Sequence, residues 1–160
     1  MRSLSFALFA LLACVPRVHA GQDPEPTPTG DLARIQGTWK ASSGHGLVDL
    51  VLKVQGATTR LEAKDANGLA IVVKSRLALG EDTKPKTWTS TARVQADGSR
   101  APDVQALYEL AGDVLRICSN GPGKPRPAEF REGADGLPII TRFDRVKEAP
   151  QPPDRKESRP

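Results

Sequence analysis

The sequence predicts an all-β protein, a small antiparallel up-and-down barrel of about eight short strands. Three observations predict it. Apolar residues recur with a period of two through most of the central chain, as half-buried strands require. Glycine, asparagine and proline punctuate the chain at short intervals, the spacing of turns between short strands. Helical periodicity is confined to one short stretch, 31–36, where Asp31 is placed to cap a single turn. Closure into a barrel is preferred to an open sheet because it removes the exposed edges that invite aggregation; a two-sheet sandwich is the alternative.

The candidate strands, in order, are 37–42, 48–55, 58–64, 69–79, 87–94, 104–110, 114–119, 128–131 and 138–145. The second shows the pattern most plainly: Val48, Leu50, Leu52 and Val54 share one face, and Asp49, Lys53 and Gln55 the other. Asp65-Ala66-Asn67-Gly68 is a hairpin signal, since Asn and Gly both accept positive φ. Ala111-Gly112-Asp113 is a second tight connection, between the sixth and seventh candidates.

The ends differ from this centre. Residues 1–20 have the form of a secretory signal: Arg2, an apolar stretch from Leu4 to Val15, and Val18-His19-Ala20 before the cut. Its removal would take Arg2 and Arg17 but no acid, so 23 basic and 19 acidic residues become 21 and 19 and the formal excess falls from +4 to +2. Export to a periplasmic or extracellular space is expected, with no transmembrane segment in the mature chain. Leu11-Leu12-Ala13-Cys14 offers an alternative, lipidation at Cys14 and membrane anchoring. Residues 21–30 are a proline-rich linker and 146–160 a charged tail whose composition cannot bury apolar surface. The folded domain is therefore 31–145. Once Cys14 is removed or lipidated, Cys118 stands alone and no intramolecular disulfide can form; its aliphatic neighbours predict a small buried hydrophobe.

Four blocks then suggest a family: Leu32 to Lys40, containing Gln36-Gly37-Thr38-Trp39; Pro85-Lys86-Thr87-Trp88; Ala106 to Cys118, containing Tyr108, Leu110, Gly112, Asp113, Leu115 and Ile117; and Arg126-Pro127-Ala128-Glu129-Phe130. In order and spacing they resemble a small secreted domain family expanded in planctomycete bacteria. The sequence departs from that pattern at Ile35, at Ala106-Leu107 and at Trp88. The family has no established activity, so the resemblance implies a compartment and a fold rather than a reaction. Gly37-Thr38-Trp39 is also similar to the first-strand G-x-W motif of lipocalins. That similarity implies a tryptophan closing one barrel end with a basic residue of the last strand packed across it, and Arg142 is the expected residue. A cation over an indole face contributes about 0.5–2 kcal/mol.

Catalytic chemistry finds little support. The mature chain has one histidine, His45, between glycines in a turn, with no G-x-S-x-G elbow and no rigid partner to align it. Zinc sets and calcium loops are missing, so neither a metal nor a cofactor is expected. Asn120 to Pro127 carries Lys124 and Arg126 but lacks a phosphate-loop ending; Arg126 is instead a candidate partner for Glu109 or Glu129. Basic residues alternate with acids along the chain and the aromatics are scattered, which argues against nucleic acid. The expected function is a non-enzymatic exported barrel, monomeric, binding a small apolar or amphipathic ligand. Trp39, Trp88, Tyr108 and Arg142 are the candidate ligand-binding residues, and Val48, Leu50, Leu52, Ile71, Val73, Leu115 and Ile117 the expected lining. The alternative is a cell-envelope structural or protein-interaction module with a filled barrel.

Overall fold

The computed structural model describes residues 27–43 and 47–147. The signal segment with Cys14, most of the linker, the turn with His45 and the tail from residue 148 lie outside the described residues. One short helix, α1 (Gly30–Arg34), precedes eight strands: β1 (Gly37–Ser43), β2 (Val48–Gln55), β3 (Thr58–Asp65), β4 (Ala70–Gly80), β5 (Thr87–Gln95), β6 (Val104–Ala111), β7 (Val114–Ser119) and β8 (Ile139–Arg145). Each strand pairs antiparallel with the next, and β8 returns to β1, closing the barrel.

The inward face follows from register. Trp39 lies opposite Leu52, Leu52 opposite Leu61, and Leu61 opposite Val73, so these side chains share one side of the sheet. Farther round, Leu79 faces Trp88, Trp88 faces Ala106, Tyr108 faces Ile117, and Leu115 faces Phe143. These inward residues, with Ile35 of the α1 segment, form the core. The alternation read from β2 is therefore the interior of the barrel.

Two expectations are corrected, and the β3–β4 hairpin forms where the Asn67-Gly68 signal placed it. The segment 128–131 is not a strand. Since β7 already pairs with β8, no free strand edge is left for it, and the loop lies across the outer face of β6 and β7. There it covers Cys118, which is buried and unpaired, its thiol pointing to the carbonyls of Glu129 and Arg131. Arg126 pairs with neither Glu109 nor Glu129. It donates to the Ala106 carbonyl at 3.1 Å and the Thr89 hydroxyl at 2.8 Å, pinning the loop to β5 and β6, while Glu109 binds Arg116 and Glu129 binds Arg131. In the β3–β4 hairpin only Gly68 takes positive φ. Asn67 need not, because the Asp65 carboxylate accepts the backbone N–H groups of Asn67 and Leu69 at 3.0 and 2.8 Å and closes the turn from its side chain.

One strand breaks the alternation. Along the β4–β5 ladder Arg76 faces Thr91 but Lys74 faces Val94, so β5 sets one extra residue against β4, a β-bulge. Ala92 sits in the bulge at φ +49°, the one non-glycine residue among the described residues with positive φ. For a residue with a Cβ that conformation costs roughly 1–2 kcal/mol. Replacing Ala92 by Gly relieves this strain against a loss of about 0.5–1 kcal/mol in chain entropy. Ala92→Gly should therefore raise stability by roughly 0.5–1 kcal/mol, read as a higher urea midpoint at unchanged slope; a lower midpoint would contradict the strain.

Candidate functional site

The two ends of the barrel are built differently. At one end gather the start of β1, the end of β8, the β6–β7 turn and α1. Trp39 is fully buried there, and its indole Nε1–H donates to the Ile35 carbonyl at 2.8 Å. The cation over its ring is Arg145, with the guanidinium carbon 4.1 Å from the ring centroid. Arg142, the residue expected in this role, points outward and pairs with Asp144 at 3.0 Å. The reason is strand parity: Phe143 faces the core, so on β8 residue 145 shares its side and residue 142 does not. Arg145 also donates through Nη1 to the Gln36 carbonyl at 2.7 Å, through Nη2 to the Arg34 carbonyl, and through Nε to Asp113 at 3.1 Å. Its N–H groups thus satisfy carbonyls at and just beyond the end of α1, where a helix of one turn leaves acceptors without intrahelical partners.

Asp31 holds the other side of this end. Its side chain does not cap α1; Thr29 occupies that position without a side-chain bond. Instead the buried Asp31 carboxylate accepts from Lys86 Nζ at 2.6 Å, the Tyr108 hydroxyl at 2.9 Å and Arg34 Nη1 at 2.9 Å. Burial alone would raise its pKa, but hydrogen bonds from Lys86, Tyr108 and Arg34 and the charge of Lys86 together hold it below the ordinary carboxylate range. Burial and the neighbouring Asp31 in turn push the Tyr108 hydroxyl well above its usual value, so at neutral pH it remains a donor. Tyr108 packs edge-on against Trp88, ring centroids 6.4 Å apart at 69°.

The opposite end is open. Behind it lies a cavity of about 170 Å³, walled by Leu50, Leu52, Leu61, Val73, Trp88, Val104, Ile117 and Phe143 and edged by Thr59, Ser75, Ser90, Arg93, Ser119 and Thr141. Of the four candidate ligand-binding residues only Trp88 lines it. Its Nε1–H is satisfied by Ser90 Oγ at 2.9 Å, which leaves the indole face apolar toward the cavity. Trp39 and Tyr108 belong to the closed end. Of the expected aliphatic lining, Leu50, Leu52, Val73 and Ile117 are present. Leu115 is packed in the core and Ile71 is exposed at the rim. Of the exposed large apolar residues, Leu47, Leu69, Ile71 and Ile139 stand at this open end, whereas Leu137 lines a recess within the β7–β8 loop and Val94 faces the outer wall.

A cavity this size lies below the roughly 300–1,000 Å³ of pockets for drug-sized ligands and near the ~150 Å³ of an engineered protein cavity that admits benzene. Among the described residues no group of His, Cys, Asp and Glu could hold a metal ion. The outer wall carries a feature hidden by the alternation of charges along the chain. Lys53, Arg60 and Lys74 stand directly opposite one another across β2, β3 and β4, and of these only Arg60 has an acid partner, Glu62 at 2.8 Å, among the described residues. No aromatic side chain lines the shallow surface around them, so it has no platform on which bases could stack.

Two predictions follow from the closed end. Arg145→Ala should lower stability by about 2–4 kcal/mol, the combined loss of the ring contact and of charged hydrogen bonds to backbone carbonyls. Arg142→Ala should stay within about 0.5 kcal/mol as an exposed surface change; chemical denaturation of both distinguishes them. For Asp31, whose folded-state pKa is depressed, the stabilisation is fully present above the unfolded-state value of about 3.9 and lost as pH falls through the lower folded-state value. Asp31→Asn should therefore be clearly less stable than wild type at pH 7, with the gap narrowing at acid pH. A gap independent of pH would show that the carboxylate's charge is immaterial. Comparison with family models, curated proteins and solved structures found no match to this chain.

Proposed function

We propose that this chain is an exported, non-enzymatic member of the secreted planctomycete family that it resembles, and that its lipocalin-like barrel takes up a small apolar ligand through the open end. The observation that carries this reading is the asymmetry of the barrel. One end is shut by Trp39, Arg145 and α1, and the other opens on a mainly apolar cavity of about 170 Å³ with a few hydroxyls in its lining. The family-like blocks support it: the most specific one forms the β6–β7 hairpin, which contributes Ile117 to the cavity and Tyr108 to the closed end. The exposed apolar rim gives such a ligand a graded path from water to the interior.

Protein purified from its own host should release a small molecule detectable by native mass spectrometry. Toluene or indole should shift the resonances of Leu61, Trp88 and Phe143 in the apo protein. Val73→Phe, which fills the cavity, should abolish the shifts while the fold persists. If no molecule co-purifies and neither probe binds the wild type, the ligand reading fails.

The apolar rim favours a second reading, an envelope interaction module that presents this end to a protein partner, anchored by lipid at Cys14. Membrane fractionation of wild type against Cys14→Ala tests the anchor. Solubility of both forms would remove it.

A further inference from the structure

Arg93 faces the barrel interior only because of the β5 bulge. Trp88 and Ser90 are inward residues of that strand, and regular alternation would next turn Ala92 inward and Arg93 outward. The extra residue in β5, taken up by the positive φ of Ala92, reverses the parity. Beyond the bulge Gln95 lies opposite the inward Val73, and Arg93, two residues before it, lines the cavity. Bulges characteristically re-aim a side chain in this way beside a functional site.

The guanidinium is short of partners where it sits. Nη1 donates to the Pro102 carbonyl. No carboxylate among the described residues comes within ion-pair distance of Arg93, and Asp103 acts on it only through space. Nε and Nη2 have no hydrogen-bond partner among the described residues, and no side-chain nitrogen there is both buried and unsatisfied, so these donors remain open to solvent at the mouth. An arginine stays protonated throughout the physiological range, and its planar fork suits a carboxylate. A single cation balances a single negative charge; a phosphate dianion would leave one charge unpaired beside an apolar wall.

We propose that the ligand of the cavity is a small monocarboxylate, its anionic head held by Arg93 at the mouth and its apolar body inserted between Leu61, Trp88, Val104 and Phe143. This rests on the reading of the barrel as a ligand carrier and adds the chemical class of the ligand.

The test compares matched pairs, hexanoate with hexanol and benzoate with benzyl alcohol, on wild type, Arg93→Gln and Arg93→Lys at neutral pH by calorimetry. With a charged hydrogen bond at stake, each carboxylate should bind wild type about tenfold more tightly than its alcohol. The preference should vanish in Arg93→Gln and survive in part in Arg93→Lys, with affinity for the alcohols little changed. Equal binding of acid and alcohol to wild type, or a preference that persists in Arg93→Gln, overturns the proposal while leaving the carrier reading intact. Failure of all four compounds to bind wild type also overturns the proposal, and the carrier reading falls with it when toluene and indole fail to bind and no molecule co-purifies. If Arg93→Gln does not fold, the wild-type comparison alone still decides.

Discussion

Closure of the barrel depends on the contact between the first strand and the last, and that seam is short. Strands β1 and β8 share two register pairs, Trp39 with Arg145 and Lys40 with Asp144, extended by one backbone hydrogen bond from Val146 to the Thr38 carbonyl at 2.8 Å, whereas β1 and β2 share seven pairs. Backbone pairing alone ties this seam weakly. Arg145 compensates with its side chain: it stacks on Trp39 from β1, reaches the carbonyls of Arg34 and Gln36 before that strand, and binds Asp113 in the β6–β7 turn. One residue therefore joins the helix, the first strand, a distant turn and the last strand. Its charge is satisfied by carbonyls and a carboxylate, which lets a guanidinium sit against the core without the penalty of an unpaired buried ion.

The remaining architecture follows from shutting that end. Gln36 exchanges hydrogen bonds with Gly56 in the β2–β3 turn, at 2.8 and 3.1 Å, and Asp31 ties α1 to Lys86 and Tyr108. The helix is too short to be stable by itself. It is held as a lid by these tertiary bonds and by the burial of Ile35 and Leu32 against the core. With polar links concentrated at this end, the opposite end keeps apolar walls, an apolar rim and Arg93. The polar fastening and the open cavity thus lie at opposite poles of one small barrel.

Much of the fold was legible in the sequence because strand period and turn chemistry are local properties. The apolar alternation of 48–55, the Asn67-Gly68 turn and the Gly112 turn each announce themselves within a few residues. The site was less legible. Trp88 was identifiable as an isolated aromatic in a strand, and it does line the cavity. Trp39 and Tyr108 carried the same signal but are committed to the closed end by partners distant in the chain, Arg145 and Asp31. Arg145 itself was within reach, since counting by twos from Phe143 selects it over Arg142. Arg93 was not, because strict alternation places it outside and nothing in Thr91-Ala92-Arg93 marks a bulge.

The sequence by itself determined an all-β chain, its strand positions to within a residue or two, and the residue types of a plugged barrel end. Only the tertiary structure decided which cation covers Trp39, that 128–131 lies over a wall rather than joining it, and that Arg93 turns inward. These three share one physical reason. Periodicity is a short-range property of the backbone, whereas register, closure and bulges arise when strands far apart in the chain compete for the same hydrogen bonds, and a shift of one residue exchanges inside for outside.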